Sequence, residues 1–251
     1  MKKKIVLICG ACGLIGKNLS KILVNNNYKV VLVDKNKKEL LKLKKKFYLD
    51  KKQIINLDLT SQKNILKLIN YCKKNHKNLN TVINCFYPKS NNWGKSFIDV
   101  KEKYLFEDLN KQLGSTIIFA TEFSKYFEKK KGGNLILISS IQGVRAPKFE
   151  HYKNLKMVSP IEYSAIKSGI ISVTQYLAKY FKKKNLRINC ISPGGIEDSQ
   201  PILFKKRYKD SCLNKGLLKP KDITGTILFL IDESSQYING QNIIIDDGWS
   251  L

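Results

Sequence analysis

Seven short apolar runs recur along the chain as continuous stretches: 5–9, 30–33, 54–57, 81–85, 135–139, 188–191 and 243–245. A strand that is apolar throughout belongs inside a parallel sheet, because the crossovers of such a sheet cover both its faces. The intervals carry helical patterns near 14–24, 37–47, 62–73, 100–128, 161–183 and 221–232. Strand and helix alternating through 251 residues predict an α/β fold. The expected form is a Rossmann-type, doubly wound, seven-stranded parallel sheet with helices on both faces, in a single domain over 1–251. Ligands of such sheets lie across the carboxyl ends of the strands.

Three stretches, 87–99, 141–160 and 195–220, break this rhythm. Each follows a strand and therefore rises on the ligand side. Long connections in compact domains are functional lids or disorder. Anchors such as Trp93, Phe149, Tyr152, Met157 and Phe204 favour lids, with 141–160 and 195–220 as the active-site pair.

The first strand runs into Gly10, Gly13 and Gly16. Glycines at this spacing allow a tight turn, close backbone approach to a pyrophosphate, and a helix N-terminus aimed at it. Asp34 ends the second strand, where a carboxylate accepts both adenosine-ribose hydroxyls and repels a 2′-phosphate. Ser140 closes the fifth apolar run. Tyr163 and Lys167 lie four apart in a helical run and share one face. A cation beside a tyrosine favours its phenolate, which predicts a usable acid/base near neutral pH.

Glycine cradle, serine, then Tyr-x-x-x-Lys, in that order, resembles the short-chain dehydrogenase/reductase family. The segments from Lys219-Pro220-Lys221-Asp222 to Asp246-Asp247-Gly248 resemble the family's last helix and strand, so the likeness spans the chain. The resemblance implies an NAD(P)-dependent oxidoreductase acting on CH–OH, with NAD favoured over NADP by Asp34. It implies Tyr163 as acid/base, Lys167 as its activator and ribose ligand, Ser140 as the hydroxyl that holds the substrate oxygen, and Asn110 as a fourth catalytic residue. Cofactor contacts are implied for Gly10, Cys12, Gly13, Leu14, Ile15, Gly16, Asp34, Asp58, Leu59, Asn84, Tyr163, Lys167, Pro193, Gly194 and Ile196. The chain departs from the family pattern at several of these places. Gly10 and Gly13 are separated by two residues, not three, and Cys9 replaces a threonine. Asn84-Cys85-Phe86-Tyr87 stands where the family has Asn-Asn-Ala-Gly. Asp198 replaces the threonine after Pro193-Gly194-Gly195-Ile196, and Lys111, not Asn110, holds the slot three before Gly114.

Ser140 and Tyr163 are separated by more residues than the family usually has. The excess, from Val144 to Pro160, is held at both ends by catalytic residues and is expected to cover the site. Ala146-Pro147-Lys148-Phe149-Glu150, Cys85-Phe86-Tyr87-Pro88 and Ser199-Gln200-Pro201 resemble a bacterial subgroup that works on flagellin-modifying and surface-glycan sugars. The implied substrate is an activated or phosphorylated sugar, whose phosphate Arg145, Lys148, Lys153 and Lys156 are placed to meet. Reduction of another carbonyl, such as a 3-oxoacyl thioester, and a silent NAD-binding regulatory role stay open.

Composition excludes other classes. The net charge of +26 suggests nucleic acid, but only Arg145, Arg187 and Arg207 are arginines among 46 basic residues. The lysines scatter, and Lys, Asn and Ile together reflect A/T-rich codons, so no specific nucleic-acid partner is expected. Cys9-Gly10-Ala11-Cys12 is formally a C-x-x-C, yet it lacks a second pair and only His76 and His151 exist. No metal is expected, and Cys85 and Cys190 read as small core residues in strands. No apolar run reaches membrane-spanning length. The apolar stretch after Met1-Lys2-Lys3-Lys4 dives into the glycine turn and reads as a strand, not a secretory signal. The expectation is a cytoplasmic homodimer or homotetramer with a small-molecule sugar substrate and no membrane partner.

Overall fold

The computed structural model describes residues 4–251. Among the described residues seven strands form one all-parallel sheet: β1 (Ile5–Cys9), β2 (Lys29–Asp34), β3 (Ile54–Asn56), β4 (Leu79–Asn84), β5 (Gly133–Ile138), β6 (Leu186–Pro193) and β7 (Asn242–Ile245). Their spatial order is β3-β2-β1-β4-β5-β6-β7, so the order reverses between β1 and β4. The crevice beyond the carboxyl ends of that pair is where such a sheet takes its ligand.

The helices are α1 (Leu14–Asn25), α2 (Lys37–Lys46), α3 (Gln62–Asn75), α4 (Glu102–Asp108), α5 (Ser115–Lys129), α6 (Ile161–Tyr180), α7 (Ile202–Asp210) and α8 (Thr224–Ile231). Successive strand residues point to opposite faces, and the core divides accordingly. Leu7, Val31, Val33, Leu135 and Leu137 pack with Ile65, Phe119, Phe123, Phe127 and Ile166 of α3, α5 and α6. Val6, Ile8, Val30, Leu32 and Ile136 pack with Leu19, Leu23, Leu40 and Ile227 of α1, α2 and α8. This two-sided burial is the reason the strands read as continuous apolar runs.

The expected doubly wound sheet is present, and two local expectations need correction. The helix expected over 100–128 is α4 and α5 joined by a π turn, Leu109–Gly114. The stretch 195–220 contains α7, which is short, opens after Pro201 and buries only Phe204 and Tyr208. Two buried side chains in nine residues give little periodicity to read. A third apolar cluster stands beyond the sheet's end. Ile141, Phe204, Tyr208, Leu217 and Trp249 are buried there, against Val144, Tyr152, Leu155 and Met157. No described helix is long and apolar enough to cross a membrane.

Candidate active site

The crevice opens into a cavity of about 770 Å³ that runs from Asp34 at one end to Trp249 at the other. At the Asp34 end the wall is mostly backbone. Gly10 has φ +80°, and a Cβ there would lie 2.5 Å from the Phe86 nitrogen of the neighbouring strand end. A Cβ on Gly16 would lie 2.3 Å from the Gly10 carbonyl oxygen, so glycine at 16 lets α1 abut the turn after β1, and glycine at 10 lets that turn abut the chain leaving β4. No side chain caps the N-terminus of α1. Its first-turn N–H groups are therefore left for an anion, and the helix dipole favours one.

Asp34 sits beside this turn. One carboxylate oxygen accepts the Cys12 N–H at 2.9 Å and the other accepts the Asn36 N–H at 2.9 Å. The acid thus fastens the glycine loop while it lines the cavity. Asp58 and Leu59 line the next stretch, with Asp58 held by the Thr60 N–H at 2.9 Å. An uncapped helix end, glycine where a phosphate would approach, and an acid at the end of β2 fit a nicotinamide dinucleotide.

At the middle of the cavity two elements are clamped together. Ser139 Oγ donates to the Lys167 carbonyl oxygen at 2.7 Å. A Cβ on Gly143 would lie 2.6 Å from the Lys167 carbonyl carbon, so the turn after β5 rests directly on α6. That contact brings Ser140 to Tyr163 and Lys167, and all three line the cavity. Lys167 is 7% exposed. Its ammonium donates to the Ile138 carbonyl at 3.1 Å and stands 5.5 Å from the Tyr163 ring centroid and 5.2 Å from that of Tyr87. Burial pulls the pKa of Lys167 down to about 8. Burial also pushes the Tyr163 hydroxyl up, opposed by the neighbouring Ser140 hydroxyl. Ser140 is thus the side chain that lowers the cost of ionising Tyr163, while the Lys167 ammonium stands near its ring.

The far end is built from side chains. Gln142 donates its amide N–H to the Tyr152 hydroxyl at 3.1 Å and accepts from Ser159 at 2.6 Å, which folds 141–160 back over Ser140. Buried His151 meets Ser211 at 2.9 Å, and Arg207 donates to the Lys153 carbonyl at 2.5 Å. These contacts join 141–160 to α7. The Gly195 N–H donates to the Tyr208 hydroxyl at 2.6 Å, and the Tyr208 ring stacks on Trp249 at 5.9 Å.

Of the residues named from sequence, Gly10, Cys12, Gly13, Leu14, Ile15, Asp34, Asp58, Leu59, Ser140, Tyr163, Lys167, Pro193, Gly194 and Ile196 line the cavity. Gly16 and Asn84 are not part of the lining. Asn84 is buried and its side-chain oxygen accepts the Phe86 N–H at 3.1 Å. Asn110 is not brought to the site. The π turn holds one residue more than an α-helical turn, leaving Asn110 exposed while Gln112 turns inward. Arg145, Lys148, Lys153 and Lys156 are also outside the lining. The Cys9 and Cys12 thiols are free, and that of Cys12 is pushed up to about 12 by burial and then by Asp34, which keeps it protonated. Among the described residues no group of three metal-ligating side chains gathers. Tyr87, Lys89, Gln142, Tyr208 and Trp249 line the cavity without having been singled out as site residues. The one signal for Tyr208 was its position four after Phe204.

The family model described as enoyl-(acyl carrier protein) reductase matches residues 10–250. Post-translational flagellin modification protein A of Campylobacter coli is 38% identical over 255 residues, covering 100% of both chains. A short-chain dehydrogenase of Leptospira borgpetersenii serovar Hardjo-bovis, solved with bound NAD+, is 28% identical with a TM-score of 0.86 and covers 100% of this chain and 94% of its own. ElxO, solved with NADP bound, is 22% identical with a TM-score of 0.82 and covers 99% of each chain, a likeness of fold.

Proposed function

The chain belongs to the short-chain dehydrogenase/reductase family and is an oxidoreductase, and on that premise we propose that it transfers a hydride between NAD and a hydroxyl or ketone of an activated or phosphorylated sugar, in the making of a flagellin-modifying or surface glycan. The observation that carries the chemistry is the meeting of Ser140, Tyr163 and Lys167 on one wall of a cavity whose other end is the uncapped α1 terminus and Asp34. The sugar reading is supported by full-length identity to flagellin modification protein A and by the extra residues folded over Ser140.

Gly10–Gly13 backbone and the α1 N-terminus hold the pyrophosphate, and Asp34 holds the adenosine ribose. When bound, the nicotinamide supplies or accepts the hydride. Ser140 donates a hydrogen bond to the substrate oxygen and fixes it against Tyr163. In reduction Tyr163 delivers its proton to the oxygen that becomes an alkoxide; in oxidation it takes that proton away. A buried ammonium at Lys167 stabilises the tyrosinate left behind. In this scheme Asn110 has no role, and 141–160 and 195–220 act as lids that exclude water. The protein works as a cytoplasmic homo-oligomer on a small-molecule sugar.

The test is a panel of nucleotide sugars and sugar phosphates with NAD and with NADP, followed at the nicotinamide absorbance band. Turnover of at least one sugar with NAD is expected. Turnover confined to a 3-oxoacyl thioester, or none with cofactor bound, would replace this reading.

A further inference from the structure

The segment between β4 and α4 forms the cavity wall beside Tyr163. Tyr87 lies edge-on to Tyr163 at 5.9 Å and to Trp93 at 5.5 Å, and Trp93 lies edge-on to Tyr163 at 6.1 Å. Trp93 also packs against the apolar core below. The segment is pinned from beneath. Buried Asp108 of α4 accepts both the Ser90 N–H and the Ser90 hydroxyl at 2.7 Å, and Ser90 accepts the Asn92 N–H at 3.3 Å. A carboxylate taking two hydrogen bonds from one residue is a rigid attachment.

This wall presents one cation. The cavity lining holds three lysines: Lys35, Lys89 and Lys167. Lys35 stands beside Asp34 at the cofactor end. Lys167 is buried and bonded to the Ile138 carbonyl. Lys89 is exposed, lies 4.9 Å from the Tyr87 ring centroid, and has no hydrogen bond or ion pair among the described residues. The four basic residues of the 144–160 excess are outside the lining, and Lys148 stands over the Trp249 ring at 5.1 Å.

We propose that Lys89, standing over the Tyr87 ring, is the residue that recognises an oxyanion on the substrate, a carboxylate or a phosphate. The proposal rests on the reading of this cavity as a sugar site. The Tyr87 ring limits where the ammonium can stand, and the Asp108 attachment limits where the ring can stand. Substrate bearing such a group is thereby oriented with its reacting carbon toward Ser140 and Tyr163. Asp198 also lines the cavity and, as a carboxylate, disfavours an anion on its own side.

The test uses the full chain loaded with NAD, at salt near 150 mM so that the general positive charge is screened. Glucose, glucose 6-phosphate and glucuronate share one ring and differ in charged group; their binding is measured by titration calorimetry. At least one anion is expected to bind about tenfold tighter than glucose, as for a hydrogen bond to a charged group. Which anion does so identifies the chemistry. Lys89→Gln should erase the gap and Lys89→Arg should keep most of it. Lys156→Gln, the same charge loss outside the cavity lining, should leave it unchanged. A wild-type protein without anion preference, or a preference that survives Lys89→Gln, overturns the proposal. NAD affinity measured on the same samples separates the two levels. Failure to bind NAD would sink the NAD-dependent reading of the cavity, whereas normal NAD binding with a Lys89-independent anion response would sink only this inference.

Discussion

The two ends of the cavity are constructed by different means. The Asp34 end is made of backbone: glycine turn, helix terminus and one acid, from β1, α1 and β2, adjacent in the chain. The Trp249 end is made of side chains from four distant segments, around Tyr87, Gln142–Met157, Phe204–Leu217 and Trp249 itself. Backbone geometry at a strand end depends on few residues, so it accepts one ligand well and changes little. An aromatic chamber closed by long connections changes shape when any of them changes. The first end therefore suits a shared cofactor and the second an individual substrate.

The most severe way to break this division is to shorten the chain between Val144 and Pro160 so that Ser140 and Tyr163 stay joined by a minimal loop. The Gln142–Tyr152, His151–Ser211 and Arg207–Lys153 contacts go with it. Sugar turnover is expected to vanish while NAD affinity stays within about threefold, under about 1 kcal/mol. Retained sugar kinetics would show that the segment is not part of the substrate wall; lost NAD affinity would show that the ends are not separable.

Tyr163→Phe removes one oxygen at the junction of the two ends. The ring keeps its edge contacts with Tyr87 and Trp93. Turnover should fall by about 10³-fold, the usual range for a lost general acid, with NAD binding unchanged by fluorescence titration. Near-normal turnover would remove Tyr163 from the mechanism.

The same contrast explains what was legible in the sequence. The strands, the glycine turn, Asp34 and the Ser140–Tyr163–Lys167 set follow local rules: apolar runs, glycine spacing, i and i+4 on one helix face. The chamber was legible only in part, through the anchors Tyr152, Met157 and Phe204. Tyr208 needed the register of a helix with two buried residues, and Trp249 needed the return of the chain after β7. Asn110 was misplaced because a π turn adds a residue without changing composition. Lysines on the Arg145–Lys156 stretch outnumbered Lys89 in sequence, but only the fold selects which ammonium enters the cavity.

Lys167 tests how much stability the junction gives up for its chemistry. Burial lowers its folded-state pKa to about 8, against about 10.4 in an unfolded chain. Between these values the unfolded chain binds the additional proton, so stability rises with pH, by about 2 kcal/mol from pH 8 to 10. Below about pH 8 the cost of the buried ammonium is fully present. Lys167→Met should make the cofactor-free protein more stable at pH 7 and flatten this increment, read from urea melts between pH 6 and 10. A variant with the wild-type pH dependence would show that the ammonium is already relieved by its neighbours.

The smallest expected effect sharpens the comparison at the cofactor end, where Asp34 does two jobs. Its carboxylate fixes the loop through the Cys12 and Asn36 N–H groups, and in the proposed function it also holds the adenosine ribose. On the proposed reading the charge sets cofactor choice: a 2′-phosphate beside it would meet a like charge in a partly desolvated wall, worth about 1–3 kcal/mol. Wild-type protein should therefore have the higher kcat/KM with NAD. Asp34→Asn retains an acceptor for the loop but not the charge, and should narrow the NAD-to-NADP ratio by about tenfold, near 1.4 kcal/mol. Asp34→Ala also strands the two N–H groups, at about 1 kcal/mol each, and should weaken both cofactors beyond the Asn variant. Equal behaviour of the two variants would mean that loop anchoring contributes nothing. A wild-type preference for NADP would mean that Lys35, which lines the same wall, governs the pocket in place of Asp34.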